Sequence, residues 1–180
     1  KLADYLKFDN KIFESDFVVS DEVNVIDAKA VYVPFVNLNN FFFECFGSFE
    51  YHHTNVILLN KILNQTISIT ENLYCNVSNS TFELIYIKDG KLNLYNSFQY
   101  NTTEDFIYYI LFSIEQLKLD TESVKLVLLG NIKVNDTLYS ILYKFIRNVS
   151  FWEESITHVI SEKYQEKINN YNHFSLFNSF

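Results

Sequence analysis

The chain contains few of the residues that mark specialised kinds of protein. Its 180 residues include no methionine, one proline, three glycines and two cysteines. Because no initiator methionine is present, we expect the sequence to be a piece of a longer protein. Two cysteines are too few for the disulfide framework of a small secreted domain. We therefore predict that Cys45 and Cys75 are small buried thiols in a reducing compartment, with a disulfide between them as the less favoured alternative.

Basic clusters and long apolar segments are also missing. The net charge is -8 and the 14 lysines and arginines are scattered, which argues against nucleic acid or an anionic membrane surface as a partner. The longest apolar run, residues 106–112, is far too short to cross a bilayer, and no signal peptide is visible. These absences favour a cytoplasmic protein without a membrane span.

Apolar and aromatic side chains are abundant, at 48% and 18% of the residues, and they are sufficient for a large core. From residue 73 onward, alternating apolar and polar residues predict three successive strands, after which helix and strand alternate. The predicted order is strands at 73–77, 82–87 and 92–100, a helix at 103–119, a strand at 124–129, a helix at 137–147 and a strand at 149–152.

Local signals support this order. Asp89-Gly90 between two alternating segments is the strongest short signal for a β-hairpin. Thr102 can cap the first long helix, with Asp105 completing an approximate capping box. That helix is apolar on two faces, so we expect it to be packed on both sides. The order predicts an α/β fold: a ribonuclease H-like mixed sheet with three antiparallel strands and with strand 124–129 parallel to the first of them.

The first 70 residues predict a shorter version of the same architecture. Asn37 can cap a helix that Gly47 ends, and the region reads as strand, helix, strand, helix. We therefore predict two similar lobes, residues 1–70 and 71–180, with the first lobe truncated. The individual predictions are a helix at 2–8, a strand at 17–25, a β-rich run at 30–33, a helix ending at 46, a strand at 49–52, a helix at 54–63, and in the tail a helical spacing after 153 with an apolar patch at 173–177.

Two aromatic runs allow two interpretations. Phe41, Phe42 and Phe43 follow one another in a predicted helix, and Tyr108 and Tyr109 are adjacent in another. The favoured interpretation places both runs in the core. The alternative is an exposed contact surface, because three successive helical side chains cannot all point in one direction.

Several stretches resemble an uncharacterised family of Bacteroidetes proteins known only as a domain of unknown function. The architecture is more distantly similar to the actin-like ATPase superfamily, especially its pilus-assembly and cell-division branch. This similarity implies two ribonuclease H-like lobes with nucleotide between them, residues 1–70 being the end of the first lobe. The start of that lobe, with its phosphate loop and catalytic acid, is absent from this sequence. The stretches are YVPFVNLNNFFF (32–43), FGSFEY (46–51), LYNSF (94–98) and EDFIYY (104–109).

The resemblance also implies where a nucleotide would bind. Active relatives carry an aspartate, a glycine and a threonine in the first hairpin of the second lobe, and Asn76, Ser78 and Thr81 hold those places here. A pair of glycines follows the fourth strand in those relatives, whereas this chain has Gly130 followed by Asn131. Asn lacks the charge that binds a metal, and Ser adds a Cβ where the backbone must approach a phosphate. The five positions therefore indicate a vestigial nucleotide pocket, or else ordinary turn residues.

No other chemistry is indicated. His52 and His53 are adjacent, so a strand would point them to opposite faces, and no zinc spacing, P-loop or nucleophile elbow is present. We predict no catalytic residues, no metal site and no cofactor. The first hypothesis is a non-catalytic scaffold or protein-interaction module with a protein partner or self-association. The alternative is a nucleotide-binding switch that uses ATP with Mg²⁺, whose metal site lies in the missing N-terminal region.

Overall fold

The computed structural model describes residues 2–65 and 71–153. The chain divides into two compact units, Lys1–Asn64 and Gln65–Phe180. The predicted tail helix and the apolar patch at 173–177 lie outside the described residues. The elements are α1 (Leu2–Asp9), β1 (Val19–Val23), β2 (Ala28–Tyr32), α2 (Val36–Phe46), α3 (Thr54–Gln65), β3 (Glu71–Val77), β4 (Thr81–Lys88), β5 (Lys91–Gln99), α4 (Thr103–Gln116), β6 (Lys125–Gly130), α5 (Thr137–Phe145) and β7 (Asn148–Phe151).

The second unit contains a five-stranded mixed sheet in the order β5-β4-β3-β6-β7. Strands β3, β4 and β5 are antiparallel neighbours. Strand β6 runs parallel to β3, and β7 runs parallel to β6. Each parallel connection passes through a helix, as such crossovers require. The predicted ribonuclease H-like order is therefore confirmed.

The hairpin between β4 and β5 forms for the reason that the sequence indicates. Asp89 and Gly90 both have positive φ, 50° and 70°, and they form a two-residue loop between the paired residues Lys88 and Lys91. A type I′ turn needs positive φ at both central positions, and its twist matches that of the flanking strands. This turn fixes the register of the first three strands.

One face of the sheet carries the main core. Helix α4 places Phe106, Ile107 and Ile110 against side chains of β3, β4 and β6. Its buried positions, which also include Ser113 and Ile114, form one stripe at helical spacing, whereas Tyr108 and Phe112 are exposed. The prediction that this helix is packed on two sides is wrong. Tyr108 and Phe112 lie four residues apart outside the buried stripe, where their rings stack on each other with centroids 6.1 Å apart.

The start of α4 is as predicted. The Thr102 side chain accepts a hydrogen bond from the Asp105 backbone N–H at 3.0 Å. The Asp105 carboxylate in turn accepts from the Thr102 N–H at 3.0 Å. This reciprocal pair is a complete capping box, and it satisfies two backbone donors that the helix leaves open.

The first unit departs from its predicted order. Its described residues form one two-stranded antiparallel sheet, β1-β2, and residues 49–52 are not a strand. The His53 N–H, directly after this segment, donates to the Asp21 carboxylate at 2.6 Å. Asn37 is not the cap of α2, because the helix already begins at Val36 after Phe35, which makes no side-chain cap bond.

Helix α2 and its C-terminal flank are exposed. None of the α2 residues is buried, and every residue from 41 to 50 is exposed. The favoured prediction that Phe41, Phe42 and Phe43 belong to the core is therefore wrong. The prediction of two buried cysteines is confirmed for Cys75 and wrong for Cys45, which is exposed on α2; both are free thiols.

Candidate functional site

The five candidate residues lie at the end of the sheet where β3 and β6 finish. Val77 and Gly130 are the last pair of the parallel β3-β6 ladder. Asn76 is one residue before Val77, and Asn131 directly follows Gly130. Parallel strands end at the same edge of a sheet, so the fold brings together residues that are more than fifty positions apart.

The backbone at position 130 leaves no room for a Cβ, so only glycine fits there. Its φ is +81°, and a Cβ built there would lie 2.2 Å from the Val77 carbonyl oxygen and 2.8 Å from Asn76 Oδ1. No real side chain tolerates such distances, and positive φ is itself unfavourable for other residues. Packing against β3 alone therefore explains this glycine.

Asn131 connects the two strand ends. Its backbone N–H donates to the Val77 carbonyl at 2.6 Å, and its side-chain Nδ2 donates to Asn79 Oδ1 at 2.8 Å. Asn79 belongs to the exposed β3-β4 turn. The side chain of Asn131 thus holds that turn against the end of β6.

Ser78 and Thr81 close the turn itself. The Ser78 N–H donates to the Thr81 carbonyl at 2.8 Å, and the Ser78 carbonyl accepts from the Tyr100 hydroxyl at 2.7 Å. Both residues contribute these bonds through their main chain. The geometry of this turn needs no ligand to explain it.

Glu83 is a site residue that the sequence analysis missed. It pairs with Asn76 across the β3-β4 ladder, and Asn76 Nδ2 donates to its Oε2 at 2.9 Å. Burial raises the pKa of the Glu83 carboxyl, and the bond from Asn76 partly opposes that rise. Glu83 is the only charged residue between Phe82 and Ile87. Its place opposite Asn76, once β3 and β4 are paired, is the signal that could have identified it.

The described residues contain no group of three histidine, cysteine, aspartate or glutamate side chains that could hold a metal ion. The adjacent histidines instead make contacts within the first unit. His52 Nδ1 lies 3.9 Å from the Asp21 carboxylate, and His53 Nδ1 accepts from the Asn55 N–H at 3.2 Å at the start of α3.

No described helix is both long enough and apolar enough to span a membrane.

The sheet order and its crossovers are those of a ribonuclease H-like fold. A crystal structure from Bacteroides thetaiotaomicron VPI-5482, of a protein with actin-like ATPase fold and unknown function, matches with a TM-score of 0.77 and 20% identity. The match covers 98% of this chain, which spans 63% of the length of that relative. At this identity the likeness shows the fold alone.

The family is shown by the sequence itself. The chain belongs to the family described as protein of unknown function (DUF3822), whose model matches residues 1–149. The resemblance to an uncharacterised domain family with an actin-like fold is therefore confirmed. Among curated proteins, no significant match to the chain was found.

Proposed function

We propose that this protein is a non-catalytic member of the actin-like fold that works by associating with protein, and that the surface of α2 is its contact. The observation that carries the proposal is that α2 is rich in phenylalanine and buries none of its side chains. Monomeric proteins rarely expose large contiguous apolar patches, and such patches mark interaction sites.

The rings form one contiguous surface, which we call the aromatic patch: Phe41, Phe42, Phe46, Phe49 and Tyr51. Phe42 contacts three of the others, with ring centroids 5.8–6.2 Å apart, and Phe49 contacts Tyr51 at 6.0 Å. Taking roughly 200 Å² for a fully exposed aromatic side chain, their exposed fractions amount to about 500 Å². That area can supply the apolar centre of a standard interface, which buries about 800 Å² per partner.

The occupant that we propose is a second copy of the chain. Between Phe35 and Phe49, Glu44 is the only charged residue, although the whole chain has a net charge of -8. Two copies that meet through the aromatic patch therefore bring few like charges together, whereas other surfaces of an acidic protein repel each other. A two-fold symmetric contact uses the same patch on both copies and needs no complementary charge.

The proposal extends to the partners, the cellular location and the domain boundaries of the protein. The acidic net charge supports the absence of a nucleic-acid partner, and two free thiols support a cytoplasmic location. We also propose that the two compact units correspond to the end of a first actin-like lobe and to a second lobe, with the boundary between residues 64 and 70.

Sedimentation velocity over a range of concentrations tests the association. We expect the full chain to dimerise and the double variant Phe42→Ser/Phe46→Ser to remain monomeric with an unchanged denaturation midpoint. Tyr108→Ser is the matched control, because Tyr108 is an exposed ring on α4 of the second unit, and it should leave the dimer intact.

The two cysteines provide a second readout. Cys45 is exposed on α2 and Cys75 is buried in β3, where burial raises the pKa of its thiol. Alkylation of Cys45 should slow as concentration rises, while Cys75 reacts only on unfolding. A chain that stays monomeric at every concentration would refute self-association. Two other results would refute it as well: a complex that forms only with a different protein, and burial of the patch within a longer form of the polypeptide.

A nucleotide-binding switch is the second candidate function. The observation that favours it is that two polar pairs lie where β3 and β6 end: Asn76 bonded to the Glu83 carboxylate, and Asn131 bonded to Asn79. Glu83 thus places a carboxylate next to Asn76, which itself lacks the charge that binds a metal. Phosphates bind to amide donors, and Mg²⁺ binds to carboxylates.

We expect no ATP hydrolysis and weak or absent Mg-ATP binding. Calorimetry and a phosphate-release assay on the chain test this, with Asn131→Ala as the site variant and Asn148→Ala as the control, since Asn148 binds the Glu122 carbonyl away from this edge. A Gly130 variant would be uninformative because it also disrupts packing. Micromolar affinity that is lost in Asn131→Ala alone would favour the switch.

A further inference from the structure

Strand β5 forms one edge of the five-stranded sheet, and among the described strands only β4 pairs with it. A strand at a sheet edge presents a row of backbone N–H and C=O groups, and proteins protect such edges with charges, proline, bulges or short strands. The opposite edge, β7, has only four residues. Strand β5 has nine, so its edge is long enough for another strand to pair with it.

Strand β5 has few of these protections. Its only charged residue is Lys91, at its start, and it contains no proline. Its pairing with β4 has a bulge at Asn93, and the stretch Leu94–Gln99 beyond the bulge pairs regularly. The first unit differs, because both strands of its small sheet carry charged residues. The edge of β5 is therefore the described edge that is most open to a further strand.

The direction of each amide in this stretch follows from the neighbouring hydrogen bonds. The Tyr100 N–H donates to the carbonyl of Ser80, which directly precedes β4, at 3.0 Å. Because successive N–H groups of a strand point to opposite sides, those of Gln99 and Ser97 point away from β4. The Ser97 N–H accordingly bonds to a side chain of its own strand, Asn96 Oδ1, at 2.9 Å. Asn96, Ser97 and Gln99 are all exposed, so an incoming carbonyl can replace that side chain.

The surroundings of the edge favour apolar side chains on one face of an incoming strand. Leu94 and Phe98 pack against the main core and are only partly buried, and the Phe98 ring stacks on Tyr109 of α4 with centroids 5.1 Å apart. A neighbouring strand places alternate side chains beside these residues. No charged residue occurs between Lys91 and Glu104, so the pairing itself needs no charge. The net charge of -8 favours basic residues at the ends of the incoming strand.

We propose that the β5 edge binds an extended segment of a partner protein, which adds a strand to the sheet. The segment alternates apolar and polar residues and has basic residues at its ends. Its carbonyl groups accept from the N–H groups of Ser97 and Gln99, and its own N–H groups donate to their carbonyls. Its apolar side chains lie beside Leu94 and Phe98. The proposal is independent of the association through the aromatic patch, which lies in the first unit.

Matched peptides test the proposal on the full chain. The probe is an octapeptide with blocked termini, in which valine and threonine alternate between two terminal lysines. The control peptide carries N-methyl groups on its two central residues, so it keeps every side chain and its charge but loses a backbone donor on each of its edges. Calorimetry measures both affinities. We expect saturable binding of one probe per chain, and binding of the control that is at least about tenfold weaker.

Two substitutions at one position test the edge itself. Ser97→Pro removes an N–H that points away from β4, a place where an edge strand tolerates proline, and it should weaken the probe at least about tenfold. Ser97→Ala keeps that N–H and should change the affinity less than about twofold. Amide hydrogen exchange followed by NMR is a second readout, in which the probe should slow the exchange of Ser97 and Gln99.

Three results would overturn the proposal: no saturable binding of the probe, equal binding of the N-methylated control, or a folded Ser97→Pro variant that binds like the unchanged chain. Protection of the Ser97 amide that rises with protein concentration, without any peptide, would assign the edge to a second copy and would overturn it as well. The peptide comparison uses the unchanged chain, so it decides the question even if Ser97→Pro fails to fold.

Discussion

Helix α2 of the first unit and helix α4 of the second are both rich in aromatic residues, yet only α4 has a buried face. In α4 the buried residues recur at helical spacing from Phe106 to Ile114, and the polar residues Thr102 and Asp105 fix its start. In α2 the rings of Phe41, Phe42 and Phe43 spread around the helix, and no side chain caps it. The apolar content of a helix thus says less about burial than the spacing of its apolar residues does.

The largest effect that separates the two helices should come from removing one ring from each. Phe106 is fully buried, so Phe106→Ala should lower the free energy of unfolding by about 3–5 kcal/mol through lost transfer energy and the cavity left behind. Phe43 is 60% exposed, so Phe43→Ala should change the free energy of unfolding by less than about 0.5 kcal/mol. Urea denaturation of both variants measures the difference, and similar losses would mean that α2 is packed as α4 is.

Two glycines extend the comparison to the backbone. Gly47 at the end of α2 and Gly130 at the end of β6 both have positive φ, but a Cβ meets nothing within 4 Å at Gly47 and meets the Val77 carbonyl at Gly130. Gly47 has φ 78° and ψ -151°, a region that is essentially restricted to glycine, so Gly47→Ala should cost about 1–3 kcal/mol. Gly130→Ala should cost more, because the clash adds to a similar strain of about 1–3 kcal/mol. Thermal melts of the two variants test this ranking, and equal costs would contradict the close approach.

A smaller effect should come from the capping box of α4. Thr102→Ala removes the acceptor of the Asp105 N–H and should destabilise the second unit by about 1 kcal/mol. Thr103→Ala, one position inside the helix, is the control and should be close to neutral, since alanine is the better helix former. Denaturation midpoints give both values; a neutral Thr102→Ala would show that the cap contributes little.

The smallest effect should depend on pH. Burial raises the pKa of Glu83 above its ordinary value of 4.5, so the protonated form is favoured in the folded state and stability is lost as pH rises through the folded-state pKa. Glu83→Gln avoids that loss and can still accept from Asn76, so it should be more stable than the wild type at pH 7. The advantage should shrink toward pH 4.5, as followed by denaturation at several pH values. An advantage independent of pH would contradict this account of Glu83.

The second unit was predictable because its signals are local and agree with one another. The Asp89-Gly90 turn, the alternation in β3 and β4, and the cap at Thr102 each specify a short stretch, and the crossover rule then places β6 beside β3. The first unit was not predictable in the same way. Residues 49–52 look like a strand, but strand pairing depends on a partner elsewhere in the chain, and none of the described strands pairs with them.

The candidate site was predictable as a location and not as a set of interactions. The resemblance pointed to Asn76, Gly130 and Asn131, which do meet at one edge of the sheet. Glu83 was missed because its importance depends on cross-strand register and partial burial. The lack of space at Gly130 likewise exists only once β3 and β6 are paired.

The order of strands along the chain has a kinetic consequence. Strands β3, β4 and β5 join neighbours in sequence, whereas the β3-β6 pairing brings Leu73 to Leu126, and distant contacts require the larger loss of chain entropy. We expect the three-stranded meander to be formed in the folding transition state and β7 to join later. Phe82→Leu in β4 should therefore slow folding, whereas Val149→Ala in β7 should mainly speed unfolding in stopped-flow experiments.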